Sequence, residues 1–198
     1  MAVSADLVKD LRERTGAGIM DCKEALNETK GDMDAALDYL RKKGLSKAAK
    51  KAGRATSEGV IYSYIHAGGK IGVMLEINCE TDFVARNDKF LDMVKDIAMH
   101  IAAIGPTYVN PDEVPAAVVD KERAILADVA KESGKPEAVI AKIVEGRLSK
   151  FYEDNCLLKQ KFVKNPDITI EELIKAKISE IGENIVVRRF VRYRLGEA

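Results

Sequence analysis

Between Ile71 and Cys79, apolar side chains fall on every second residue: Ile71, Val73, Leu75, Ile77 and Cys79. From Phe90 onward they fall every third or fourth, at Phe90, Val94, Ile97, Ile101 and Ile104. The first period is that of a strand with one buried face, the second that of a helix. The change takes place inside Asn78-Cys79-Glu80-Thr81-Asp82-Phe83-Val84-Ala85-Arg86-Asn87, so the chain has to run a strand directly into a helix there. Thr81 or Asp82 is placed to cap that helix. Phe83 then lies in the first turn, near the surface, and Asp82 gains from the positive end of the helix. Upstream, Val60–His66 is β-branched and aromatic, and Ala67-Gly68-Gly69-Lys70 supplies a turn, so the strand is the second arm of a hairpin.

Three short amphipathic segments precede the hairpin. Ser4 caps a predicted helix from about Ala5 to Arg14, which Thr15-Gly16-Ala17-Gly18 breaks. A second runs from Ile19 to Glu28 with Ile19, Cys22 and Leu26 inward. Asp32 caps a third, with Met33, Ala36, Leu37 and Leu40 at helical spacing and Gly44 as its end. Helices this short bury a face only by packing together, so residues 1–44 read as a three-helix docking module. Its Gly16-Ala17-Gly18-Ile19-Met20 loop sets two apolar side chains beside bare backbone, as a recognition surface or as part of the bundle core. Residues 45–59 read as a basic helical linker, and residues 60–198 as an α+β core.

Within that core, Gly105-Pro106 stops the long helix. Ala116 to Glu132 is predicted helical, with Val118, Ile125 and Val129 at suitable spacing, and Ser133-Gly134-Lys135-Pro136 is a break. Pro136 suits a first helical position, and the next helix places Ile140, Ile143, Val144, Leu148 and Phe151. No clear period survives from Cys156 to Val163. Thr169-Ile170-Glu171-Glu172 is a capping box for a helix that Gly182 closes. Asn184 to Leu195 reads as a third strand, with Ile185, Val187, Val191, Tyr193 and Leu195 on one face and Arg188, Arg192 and Arg194 on a solvated one. The fold class is α+β: helical bundle, helical linker, then a three-stranded antiparallel sheet packed by helices.

Composition narrows the function. Lys and Arg number 32 and so do Asp and Glu, and a net charge of zero disfavours nucleic acid as the main partner. The stretch Arg41–Arg54 holds Arg41, Lys42, Lys43, Lys47, Lys50, Lys51 and Arg54 with no acid among them, which keeps an RNA-binding reading in view beside that of a solvated linker. No apolar run is long enough to span a membrane, and the N-terminus lacks the pattern of an export signal, so a cytoplasmic protein without membrane contact is expected. Cys22, Cys79 and Cys156 are far apart, and only His66 and His100 accompany them. Reduced thiols are expected, and neither metal nor cofactor. Glu76, Glu80 and Asp82 straddle the strand-to-helix change and point apart, which argues against a carboxylate metal site. A thiol enzyme using Cys79 with Glu80 is the remaining catalytic alternative.

Three stretches together resemble bacterial translation elongation factor Ts: Leu11-Arg12-Glu13-Arg14-Thr15-Gly16-Ala17-Gly18-Ile19-Met20-Asp21-Cys22-Lys23-Glu24-Ala25-Leu26, Glu76 through Asn87, and Cys156-Leu157-Leu158-Lys159-Gln160 through Arg188-Arg189-Phe190-Val191-Arg192-Tyr193. The resemblance implies a ubiquitin-associated-like bundle and a guanine-nucleotide exchange factor, not an enzyme of covalent chemistry. The implied partner is elongation factor Tu, both GDP-bound and nucleotide-free. It implies that Thr81, Asp82, Phe83 and Val84 disturb the partner's Mg²⁺ site. Arg12, Ile19 and Met20 would be contact residues, with Gly16, Gly18, Arg86 and Asn87 completing the partner-binding set. Longer family members carry a duplicated core and often a coiled-coil insertion. One core half is expected here, which points to a homodimer.

Overall fold

Capping residues set the boundaries of the first helices. The computed structural model describes residues 3–131 and 136–197. In α1 (Ala5–Thr15) the Ser4 side chain accepts the Leu7 N–H, and the helix stops at Gly16, whose φ of +66° is readily reached only without a Cβ. Helix α2 (Ile19–Glu28) follows at once. In α3 (Met33–Ala49) the Asp32 side chain accepts the Ala35 N–H. Val8, Leu11, Cys22, Ala25, Leu26 and Ala36 form one buried cluster, with Leu7, Met33, Leu37 and Leu40 packed against it.

Two expectations fail in this bundle. Gly44 does not end the third helix, which runs on through it to Ala49. A glycine inside a helix costs only about 1 kcal/mol relative to alanine, and the bare face of Gly44 lies close to Ser179. Ile19 does not point inward: it is 58% exposed, and Met20 is 72% exposed.

The strands β1 (Glu58–Ile65) and β2 (Ile71–Cys79) follow. Their hairpin closes with the His66 N–H on Ile71 O at 2.9 Å, and Gly68 and Gly69 both sit at positive φ. Val73, Leu75, Ile77 and Cys79 are buried, as their alternation requires. Then come the single turn α4 (Asp82–Ala85) and the long helix α5 (Asp88–Ile104). The expected continuous helix is therefore two, and its last apolar position, Ile104, is half exposed.

Helices α6 (Ala116–Lys131) and α7 (Glu137–Asn155) follow a short 3-10 turn at Pro111–Glu113. Val118, Ile125 and Val129 of α6 are exposed. Glu132, Ser133, Gly134 and Lys135 lie outside the described residues. Pro136 occupies the cap of α7 rather than its first turn. The stretch without a clear period contains a 3-10 turn at Leu157–Lys159 and the small antiparallel pair β3 (Lys161–Phe162) and β4 (Asn165–Thr169). Helix α8 (Ile170–Ile181) begins right after Thr169, and Gly182 closes it at φ +97° with its N–H on Ile178 O. The last strand, β5 (Ile185–Arg194), completes an antiparallel sheet in the order β1-β2-β5.

The expected face of β5 holds only at its start. Ile185 and Val187 are buried, but Val191, Tyr193 and Leu195 are exposed. The alternation slips by one residue at Arg188 and Arg189, both exposed, after which Phe190 and Arg192 are the less exposed positions. Arg192 is thus not part of a solvated face: its guanidinium donates to Ala102 O and pairs with Glu197.

The chain divides into two compact units. One holds Met1–Ile61, Glu76–Lys95 and Glu172–Val187; the other holds Tyr62–Leu75, Asp96–Glu171 and Arg188–Ala198. In the second, His100 is fully buried and saturated: Nδ1 accepts the Val163 N–H at 3.2 Å, which leaves Nε2–H to donate to Gln160 Oε1 at 3.0 Å. Its role there is structural, and burial lowers its pKa against the smaller, opposing effect of the Gln160 hydrogen bond. His66 ends its strand exposed, beside the Tyr64 hydroxyl.

Candidate partner-docking site

The residues expected to contact the partner or act on its metal site all fall in the first unit, in two groups. One group is the junction after β2. Cys79 ends the strand with its thiol donating to Thr81 O at 3.2 Å. Thr81 is the cap of α4; its hydroxyl accepts the Val84 N–H, at a long 3.5 Å. Asp82 begins the turn and pairs with Arg86 one turn on, at 3.1 Å. Both side chains of that pair are largely exposed, so it contributes at most about 1 kcal/mol and releases easily. Phe83 is 83% exposed while Ala85 beneath it is buried. Asn87 starts α5: its side-chain oxygen accepts the Lys89 N–H at 2.9 Å, and its carbonyl takes the Phe90 and Leu91 N–H groups.

The other group is the α1–α2 loop. Arg12 on α1, Gly16 and Gly18 in the loop, and Ile19 and Met20 at the start of α2 are all exposed. Ile19 and Met20 are therefore not part of the bundle core. One acid, Glu180 of α8, bears on both groups. It receives Lys89 Nζ at 2.6 Å and Lys177 Nζ at 2.8 Å. A Cβ added to Gly16 would come within 3.1 Å of its carboxylate. The two lysines hold the Glu180 carboxyl below its ordinary pKa even though burial, the largest single influence, pushes the other way.

Sequence reasoning missed what fixes the junction. Glu183, in the link between α8 and β5, accepts three hydrogen bonds from it: Glu80 N–H at 3.1 Å, Thr81 N–H at 3.0 Å and the Thr81 hydroxyl at 2.6 Å. The contact is reciprocal, since Glu80 Oε1 accepts the Asn184 N–H at 2.6 Å. Asn184 is itself buried, and its amide donates to Ala52 O and Arg54 O. Hydrogen bonds to a charged acceptor contribute about 1.5–3 kcal/mol each. The junction is therefore clasped by a segment some hundred residues later in the chain. The only local signal was the run Gly182-Glu183-Asn184 at a helix end.

The same geometry bears on the rival readings. Most of the basic stretch is already engaged: Arg41 with Glu172, Lys43 with Asp21 and Glu24, Lys47 with Asp21, Lys51 with Gly182 O, and Arg54 with Glu80. The Lys47 hydrogen bond, the largest influence, holds the Asp21 carboxyl below its usual value; burial, next in size, opposes it, and Lys43 adds to the lowering. Cations held by acids and carbonyls are poorly placed to release counterions from a phosphate chain. Cys79 is buried, and burial together with the Glu183 charge pushes its thiol up to about 11, the reverse of what a nucleophile needs. Among the described residues there is no group of three or more His, Cys, Asp or Glu able to hold a metal ion. No helix of the described residues is long and apolar enough to cross a membrane.

An exposed aromatic ring on a clasped turn and a second exposed apolar stretch thus lie on the same unit. Comparison with known proteins gives the family. The family model described as Elongation factor TS matches residues 42–197. Elongation factor Ts of Geobacter sulfurreducens is 59% identical over 197 residues, covering all of this chain and 91% of the relative. Elongation factor Ts of Fervidobacterium nodosum is also 59% identical over 197 residues, covering both chains from end to end. The chain belongs to the elongation factor Ts family and is a factor of translation elongation.

Proposed function

We propose that this protein is the guanine-nucleotide exchange factor of elongation factor Tu. It binds the GDP complex, disturbs the Mg²⁺ and phosphate site, and stays on the nucleotide-free GTPase until GTP returns. Residues 1–44 serve as a ubiquitin-associated-like docking module, 45–59 as its linker and 60–198 as the core. Arg12, Gly16, Gly18, Ile19 and Met20 contact the partner from the docking module, and Thr81, Asp82, Phe83 and Val84 act on its metal site, flanked by Arg86 and Asn87. The protein works in the cytoplasm, makes no covalent chemistry of its own, needs no cofactor, and forms a homodimer.

One observation supports this reading above the others: Phe83 stands 83% exposed on a turn whose backbone is fixed from behind. An apolar ring held out in water is a cost to the free protein that burial in a partner recovers, about 1.5–3 kcal/mol for a Phe side chain. Linkage does the rest. A factor that binds the empty GTPase more tightly than the loaded one lowers nucleotide affinity by the same factor. Asp82, once its pair with Arg86 opens, brings a negative charge toward groups that order Mg²⁺, and loss of the metal removes the cation that neutralises the phosphates. The test is release of labelled GDP from elongation factor Tu with and without this protein. Acceleration is expected; an unchanged release rate refutes the proposal.

A further inference from the structure

We propose that Glu183 is a positioning residue for exchange: its carboxylate sets the Thr81–Val84 turn in the geometry from which Phe83 and Asp82 act. The inference rests on the exchange reading above and adds a residue to it. A four-residue helix has no stability of its own, since forming the first turn fixes several dihedrals for a single hydrogen bond. The Thr81 cap is long at 3.5 Å, and the Asp82–Arg86 pair is solvent-exposed. Neither of these local interactions holds the turn strongly. What remains is the weak Cys79 thiol bond to Thr81 O, Ala85, buried below, and the carboxylate of Glu183, which takes the N–H groups of both residues leading into the turn and the hydroxyl of its cap.

Glu183 is in turn held by its neighbours. Glu80 Oε1 accepts the next N–H along, that of Asn184, so the segment that bears Glu183 is held by the junction it holds. Lys51 Nζ donates to Gly182 O at 2.6 Å on the other side. A carboxylate so anchored can fix the direction in which the turn leaves β2. Docking through Ile19 and Met20 does not depend on that direction. The effect of Glu183 therefore falls on what Phe83 does after docking.

The experiment is GDP release from elongation factor Tu over a range of concentrations of the full chain, for wild type, Glu183→Gln, Phe83→Ala and the double variant. Glu183→Gln is expected to lower the maximal rate about tenfold while the half-saturating concentration changes less than twofold. In the Phe83→Ala background the same substitution is expected to cost little more, because the group it positions is gone; a merely structural role would add in full. Amide exchange of the free protein is expected to quicken at residues 81–84 in Glu183→Gln with the rest unchanged. Glu183→Asp, which keeps the charge but draws the carboxylate back from its three donors, is the second variant, with about a threefold loss, and decides the matter if Glu183→Gln does not fold. An active wild type with an unchanged maximal rate in these variants, or losses that add in full, overturns this inference alone. A wild type that releases no GDP overturns the exchange reading and this inference with it.

Discussion

Replacing Phe83 by alanine separates a presented side chain from a structural one. In the free protein the ring is 83% exposed, so its removal takes away almost no buried area. Surface substitutions of this kind stay within about 0.5 kcal/mol, which for a chain of 198 residues shifts the thermal midpoint by only about 1–2 °C. On the exchange reading proposed above the partner buries the ring, and its loss then removes about 1.5–3 kcal/mol. At 1.36 kcal/mol per factor of ten, that lowers the GDP release rate about ten- to a hundredfold. The expected signature is thus a thermal midpoint that hardly moves beside an exchange rate that collapses. Both are read on one preparation, by circular dichroism melting and by release of labelled GDP from elongation factor Tu. A midpoint lowered by more than about 5 °C would mean that Phe83 supports the fold, and an unchanged release rate would mean that the ring does not act on the partner.

Three further outcomes follow from other parts of the molecule. Gly59 sits at φ +147°, and a Cβ there would fall inside the contact distance of Ile77 O and Asn78 Cα; Gly59→Ala should cost about 2–4 kcal/mol from a strained backbone and an overpacked contact together, read as a lower midpoint in urea. The buried neutral His100 has a pKa below its ordinary value, so its contribution is complete above about pH 6.5 and declines as pH falls from there toward the folded pKa. Thermal midpoints between pH 7.5 and 5.5 should show that decline and His100→Gln should not; parallel curves refute it. With the Cys79 thiol pushed up to about 11 and all three cysteines buried, iodoacetamide at pH 8 should label the native protein far more slowly than the urea-unfolded one, and equal rates would contradict the burial.

What the sequence revealed was local chemistry. Ser4 and Asp32 cap helices because the side chain that does so lies within three residues of the N–H it accepts. Gly16 and Gly182 end helices because the αL conformation they supply is a property of one residue. The burial of Val73, Leu75, Ile77 and Cys79 follows from a period of two. The failures share the opposite cause. Gly44 looks like a stop, but the chain continues as helix where its bare face meets Ser179, which no nearby residue announces. The alternation of β5 looks continuous through Arg188 and Arg189, and a slip of one residue there reverses every side chain beyond it. Strands β3 and β4 are too short for any period to show. The Glu183 clasp joins positions about a hundred residues apart, so its partners become neighbours only after folding.

The break between α4 and α5 explains why Phe83 is available at all. Phe83 and Phe90 are seven residues apart, two turns of a continuous helix, and would share one face. Phe90 is fully buried, so a single helix from Asp82 to Ile104, the simplest reading of the periodicity, would carry Phe83 onto the buried side. Asn87 prevents this. Its backbone and side chain together accept the Lys89, Phe90 and Leu91 N–H groups and so open a new helix with its own phase. Residues before it need not follow that phase, and α4 turns Ala85 inward and Phe83 outward. The apolar ring that would have been one more core residue becomes a surface feature because a single asparagine restarts the helix, and because a distant acid, not the helix, fixes the turn that precedes it.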